Sequence, residues 1–270
     1  MRSSDVERRV RVGDVDLAVR DSGSGRPFVW AHGLLSSMAQ EDETGMFGWQ
    51  GITDTARVIR YDARGHGRST ATGDPADYTW PALANDMLGL LDAMDIERAA
   101  IGGASMGCAT SLCAALQAPD RVERLVLAIP PTAWATRKLQ QRFYKSGAAA
   151  LAVTGLRALV ATMRARPIPP VIAERYPGSR DKSLEHLLRS DRATVATILR
   201  GAGRTDLPSP ADLAALTMPT LILAWRDDPG HPISTARKLA EVLPDATLHT
   251  ASVGGDLDSW ESTVRTFLST

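Results

Sequence analysis

The sequence predicts an α/β fold, a mostly parallel sheet flanked by helices, and three observations carry that prediction. Short continuous apolar runs recur along the chain, the pattern of strands covered on both faces. Stretches with apolar residues at helical spacing separate them. The regular alternation of the two implies βα crossovers, which make neighbouring strands parallel. A length of 270 residues suits one large domain, or one domain carrying an inserted subdomain.

Taken in order, the first twenty residues read as two short strands. Val10 and Val12 precede a Gly13-Asp14 turn, and Val15, Leu17 and Val19 then alternate with polar or small neighbours. A Gly-rich turn at 21–25 leads into the apolar run 27–31. Comparable runs follow at 56–61, 99–103, 125–129 and 220–224, and 246–250 reads as the last strand. Helical periodicity covers 80–94, where Leu83, Met87, Leu90, Leu91 and Met94 share a face. It returns at 106–116, 233–243 and 258–268. The alternation lapses once. From 132 to 208 the pattern is helical, broken by Pro167, Pro169-Pro170 and Pro177-Gly178. The expected organisation is therefore a core of 1–131 and 209–270 with an inserted helical cap of 132–208.

Composition narrows the function classes. The 44% hydrophobic content is ample for a core, and the formal net charge is zero. That balance favours neither nucleic acid nor an anionic membrane as partner. The first nine residues lack the apolar stretch of a signal peptide. No run of about 18 apolar residues stands out, so no membrane span is expected and a cytoplasmic protein is. Cys108 and Cys113, five apart on one helix, point in different directions and read as reduced core residues. No metal-ligand cluster and no dinucleotide-binding glycine fingerprint occurs, so no metal and no cofactor is implied. The expected partner is a small-molecule substrate.

Charge is unevenly spread. Residues 132–208 hold 14 Lys and Arg against 5 Asp and Glu, leaving 17 basic and 26 acidic residues elsewhere. A basic lid over an acidic core would recruit an anionic substrate. Solvated helix faces or ion pairs between lid and core account for the same surplus. Trp134, Phe143, Tyr144 and Met163 offer apolar side chains for a substrate pocket, or for the cap's own core.

The chemistry centres on Gly103-Ala104-Ser105-Met106-Gly107, which follows a strand run and opens a helical one. In that context a G-x-S-x-G match places the serine on a tight, strained turn. The turn presents the Ser105 hydroxyl at the C-terminal edge of the sheet, where open α/β sheets bind ligands. Met106, first in the helix, has a free backbone N–H for a developing oxyanion.

On these residues the chain resembles the α/β-hydrolase superfamily, in its cap-bearing branch of esterases, lactonases, carbon–carbon hydrolases and perhydrolases. The resemblance spans essentially the whole chain. Trp30-Ala31-His32-Gly33-Leu34 is similar to the family's oxyanion loop, which implies the Leu34 N–H as second oxyanion donor. The string from Tyr61-Asp62-Ala63-Arg64 through Gly65-His66-Gly67-Arg68-Ser69 resembles the loop after the fourth strand. Trp225-Arg226-Asp227-Asp228-Pro229 resembles the turn of the catalytic acid, with Asp228 at the acid's place and Asp227 as fallback. Trp225 stands where the family has glycine, so a differently shaped turn is expected.

One family feature is missing. The family's histidine follows the last strand, and residues 252–260 contain none. A serine hydroxyl needs a base to take its proton. His32 and His66 fall where the family braces loops, His186 reads as a surface residue, and His249 as a packed strand residue. Asp228-Pro229-Gly230-His231 has the signature of a type II β-turn, which would pair the carboxylate with the imidazole. His231, His249 or no histidine remain the three assignments of the base.

The reading is a serine hydrolase of small esters or lactones, with Ser105, Asp228 and His231 catalytic and Leu34 and Met106 in the oxyanion hole. The same parts suit a carbon–carbon hydrolase or perhydrolase. The absent histidine suits a binding protein or a non-hydrolytic biosynthetic enzyme.

Overall fold

The computed structural model describes residues 6–270. Residues 1–5, part of the N-terminal stretch read above, lie outside the described residues. The described chain forms an eight-stranded sheet in the order β1-β2-β4-β3-β5-β6-β7-β8. Its strands are β1 (Val6–Val12), β2 (Val15–Ser22), β3 (Pro27–Ala31), β4 (Arg57–Tyr61), β5 (Ala99–Ala104), β6 (Val122–Ala128), β7 (Thr220–Trp225) and β8 (Ala246–Ala251). The hairpin β1–β2 and the pair β2–β4 are antiparallel; the pairs from β4 to β8 are parallel. The mostly parallel sheet is the expected one. The run at 125–129 begins earlier, at Val122, and ends at Ala128, because Ile129 turns to φ 49°.

Helices cover both faces: α1 (Met38–Thr44), α2 (Trp49–Thr53), α3 (Trp80–Ala93), α4 (Met106–Gln117), α5 (Arg137–Arg164), α6 (Pro170–Arg175), α7 (Ser179–Leu188), α8 (Arg192–Ala202), α9 (Pro210–Leu213), α10 (Ile233–Val242) and α11 (Trp260–Ser269). Side chains of a strand alternate between faces, and the continuous apolar runs feed two cores accordingly. Val29, Ile101, Leu125, Leu127 and Ile222 pack with α3, α4 and α10. Phe28, Trp30, Val126, Leu221, Leu223 and Trp225 pack with α2 and α11. The predicted face of α3 is buried at Leu83, Met87, Leu90 and Leu91, with Met94 at its margin. Cys108 and Cys113 are free thiols in the core.

Between β6 and β7 the described chain is helical. Pro170 opens α6, and Gly178, at φ 81°, precedes α7. Ala148, Leu151, Leu159 and Val160 of α5 join Leu184 and Leu187 of α7 and Val195 and Leu199 of α8 in a separate apolar cluster. That cluster rests on Leu34 and Leu35 of the loop after β3.

The structure corrects one exclusion. The stretch Trp134–Arg164 is long and apolar enough, by length and composition, to cross a membrane, and only 22% of its 18-residue window is buried. Arg157 interrupts the apolar run to the eye, yet one charge leaves the average apolar. The stretch is not a single straight rod, because Gly155 breaks α5 at φ 72° and ψ −178°.

The sheet positions the site through one close approach. A Cβ on Gly107 would lie 2.0 Å from the Ala31 carbonyl oxygen, and one on Gly103 would lie 2.4 Å from the same atom. Backbone atoms of β3 and α4 occupy that space and cannot swing aside. Gly107→Ala is therefore expected to destabilise the fold by about 3 kcal/mol, read as a lowered urea midpoint. An unchanged midpoint would mean that α4 can slide away from β3 freely.

Candidate active site

Ser105 stands between β5 and α4 with φ 54° and ψ −105°. Such a backbone costs an L-residue about 1–3 kcal/mol and persists only where the surroundings enforce it. Here they do. The Ser105 N–H donates to Ala128 O at 3.0 Å. Beneath it the buried Cys108 thiol donates to Gly103 O at 3.1 Å and Ala128 O at 2.9 Å. Met106, the first residue of α4, has no preceding helical carbonyl for its N–H to bond.

The loop after β3 is braced by histidine. Buried His32 donates from Nδ1 to Gly33 O at 2.7 Å and accepts the Ala63 N–H on Nε2 at 3.0 Å. Burial holds this ring neutral, its pKa pushed down to about 4. Asp62 accepts the N–H groups of Met38 and Arg68, both at 2.8 Å. Arg64 grips Asp86 through two bonds of 2.9 and 2.7 Å. These contacts give the Tyr61–Ser69 string its physical meaning: it ties the loop after β4 to the loop after β3 and to α3. His66 donates from Nδ1 to Arg64 O at 2.9 Å, the bracing role expected of it.

The turn after β7 closes the site. The His231 N–H donates to Asp228 O at 3.2 Å, so a turn is present, but Gly230 lacks the positive φ that a type II turn requires. The carboxylate decides the shape instead: Asp228 Oδ1 accepts the Gly230 N–H at 2.8 Å, drawing the turn around its own first residue. His231 Nδ1 then donates to Asp228 Oδ2 at 2.7 Å, and Nε2 accepts the Ser105 hydroxyl at 2.8 Å. The three side chains thus form one hydrogen-bonded chain. Burial alone would raise the Asp228 pKa. Its pairing with the His231 ring and the hydrogen bonds from His231, Trp225 and Gly230 outweigh it and hold the carboxyl well below the usual range.

Sequence reading missed the part played by Trp225. Its indole Nε1–H donates to Asp228 Oδ2 at 2.9 Å, the same oxygen that His231 engages. The ring meets His231 edge-on at 6.3 Å and stacks on Trp260 at 5.8 Å and 7°. The signal was a large aromatic at a position where the resemblance calls for glycine.

The other candidates lie elsewhere. Asp227 is exposed, at φ 60°. His249 is exposed on edge strand β8 rather than packed within it, because no helix covers its side chain. His186 is not a plain surface residue: half-buried, it sits 3.4 Å from Ser37 Oγ, where α7 meets the core. Trp134 donates from Nε1 to Pro208 O at 3.0 Å, and Tyr144 packs into the helical cluster. Phe143 lies 6.1 Å from Tyr144 and under the Arg166 guanidinium. None of these three aromatics lines the cavity beside His231, whereas Met163 does.

A family model described as alpha/beta hydrolase fold matches residues 26–156. RutD of Caulobacter sp. (strain K31), named provisionally as a carbamate hydrolase, is 32% identical over 212 residues, 76% of each chain. The chain belongs to the α/β-hydrolase fold family. The 3-oxoadipate enol-lactonase 1 of Acinetobacter baylyi is 29% identical over 173 residues, 64% of this chain and 62% of that protein. Among solved structures, a hydrolase from Pseudomonas aeruginosa PA01 superposes with TM-score 0.80 at 27% identity, covering 98% of this chain and 97% of the other. An enol-lactonase from Burkholderia xenovorans LB400 shares the fold with TM-score 0.78 at 24% identity, over 97% and 100% of the two chains.

Within this α/β hydrolase, Trp225 holds the Asp228 carboxylate. Trp225→Phe keeps the ring stack and removes one charge-assisted hydrogen bond, worth about 1.5–3 kcal/mol. A fall in kcat/KM of about tenfold with KM nearly unchanged is the expected result in an ester assay. Unaltered kcat would show that the indole N–H does nothing for the dyad.

Proposed function

We propose that this α/β hydrolase cleaves a small carboxylic ester or lactone through an acyl-enzyme on Ser105. The observation that carries the reading is the unbroken chain Ser105 Oγ to His231 Nε2 at 2.8 Å and His231 Nδ1 to Asp228 Oδ2 at 2.7 Å. A serine with a neutral imidazole at hydrogen-bond distance, itself oriented by a carboxylate, is an activated nucleophile.

In the proposed mechanism His231 Nε2 takes the hydroxyl proton as Ser105 Oγ attacks the carbonyl carbon. The imidazolium that forms is stabilised by Asp228, whose depressed pKa keeps it ionised. The N–H groups of Leu34 and Met106 receive the developing oxyanion. His231 then returns the proton to the leaving oxygen, which departs as an alcohol or, from a lactone, stays tethered to the acyl chain. Water attacks the ester on Ser105, giving a proton to His231, and His231 passes that proton to the departing Ser105 Oγ as the carboxylic acid is released. The helical segment 132–208 serves as a cap, its apolar cluster covering Leu34 and Leu35 and excluding water from the reaction. The relatives named for enol-lactone and carbamate hydrolysis support a hydrolytic reading.

Fluorophosphonate labelling and 4-nitrophenyl butyrate hydrolysis test the assignment together. Wild type is expected to label, and Ser105→Ala and His231→Ala to lose labelling with kcat/KM down by at least about 10³. His249→Ala should match wild type. A fully active His231→Ala enzyme would move the base elsewhere, and an unreactive wild type would overturn the hydrolase reading.

A further inference from the structure

We propose that Arg166 and Arg180 form an anion subsite beside the dyad, so that the substrate is an ester or lactone bearing a carboxylate. The proposal rests on the hydrolase reading above and adds the substrate's charge to it. A cavity of about 250 Å³ is lined on one side by Asp228, Pro229, Gly230 and His231, and on the other by Met163, Arg166, Arg180 and Leu184. His231 belongs both to this wall and to the hydrogen bond with Ser105. An anion held by the guanidiniums is therefore one imidazole away from the attacking oxygen.

Several cations of the basic segment, Arg142 and Arg157 among them, also lack an ion pair among the described residues, but Arg166 and Arg180 are the ones that line this cavity. Arg164 pairs with Asp181 at 3.3 Å, Arg175 with Asp258 at 2.6 Å and Arg189 with Glu185 at 3.9 Å. Arg137 is buried and donates to the carbonyls of Ala202 and Thr205. Arg166 and Arg180 have no carboxylate within ion-pair distance among the described residues. Both are only half-buried.

Their placement is nevertheless fixed. Arg180 Nη1 donates to Arg164 O at 2.9 Å and to Arg166 O, which pins the end of α5 and leaves Nε and Nη2 with donors to spare. The Arg166 guanidinium lies 4.7 Å from the centroid of the Phe143 ring, an attraction that orients it without using its N–H groups. Burial lowers the Arg180 pKa, Asp181 works against it, and the smaller repulsion from Arg166 and attraction from Asp228 follow. Two guanidiniums in one cavity wall, neither bonded to a carboxylate, attract an anion that enters between them.

Asp228 attracts Arg180 through its charge but bonds to neither arginine. Its Oδ2 already accepts from His231 and Trp225 and its Oδ1 from Gly230, and neither guanidinium donates to it. Ion pairing between lid and core does not explain the two arginines, since that role falls to Arg175 and Asp258.

Two substrates with one acyl chain and one leaving group isolate the charge: mono-4-nitrophenyl glutarate and its methyl ester, 4-nitrophenyl methyl glutarate. The wild type is expected to prefer the anionic ester by about tenfold in kcat/KM, with its KM rising in added salt while that of the neutral ester stays constant. Arg166→Gln and Arg180→Gln should each reduce the ratio of the two kcat/KM values by about tenfold. That ratio is internal to each variant, so a partly misfolded preparation does not alter it. Equal wild-type use of both esters, or variants that lose both activities in proportion, would overturn the subsite while leaving the hydrolase reading intact. Turnover of neither ester would overturn the hydrolase reading, and this proposal with it.

Discussion

A carboxylate and an imidazole three residues apart can share a hydrogen bond only where the backbone between them folds back, and Pro229 and Gly230 supply that fold at the end of β7. The Asp228 carboxylate bonds to the Gly230 N–H inside its own turn and to the His231 ring at the turn's close. One short segment therefore holds acid and proposed base in a fixed relation. The only adjustment left to the tertiary structure is the distance from β7 to the elbow after β5. The intervening strand β6 sets it, pairing with β5 on one side and β7 on the other.

The loop after β8 carries no histidine. Residues Gly254–Ser259 form a short 3-10 turn instead and lead into α11. The first residue of that helix, Trp260, lays its ring on Trp225. The stack fills the side of the acid turn that faces α11, and it presents the Trp225 N–H to the carboxylate. Trp225 and Trp260 are both buried, 3% and 5% exposed, so the carboxylate is shielded on that flank. In low-dielectric surroundings its bonds to His231 and Trp225 are stronger than they would be in water.

Much of this was legible in the sequence. The strands of the parallel sheet announced themselves because burial on both faces demands unbroken apolar runs, as in Thr220-Leu221-Ile222-Leu223-Ala224. The elbow was legible because only glycine tolerates the approach of Ala31 to residues 103 and 107. The Asp228–His231 pairing followed from turn chemistry, since a proline and a glycine between two polar residues leave few paths for the chain. Its turn type did not, because the choice depends on a side-chain hydrogen bond to Gly230 that any aspartate at that place might or might not make. Trp225 was visible as a departure, yet its partner Trp260 lies 35 positions away by number and meets it only through the packing of α11 on β7. The break at Gly155 was equally hidden, because a half-buried glycine in an alanine-rich helix carries no local mark of which φ it adopts. The pairing of Arg166 with Arg180 across a cavity depends on how α5 and α7 meet, which periodicity within either helix does not encode.

The central claim is that the His231 ring is a neutral acceptor facing Ser105. Proton–nitrogen correlation spectra of ¹⁵N-histidine-labelled protein at pH 8, with the signal assigned by its loss in His231→Gln, read that state directly. The account predicts a ring protonated on Nδ1, with an unprotonated Nε2 whose resonance moves when Ser105 is phosphonylated. A ring protonated on Nε2, indifferent to that modification, would contradict it.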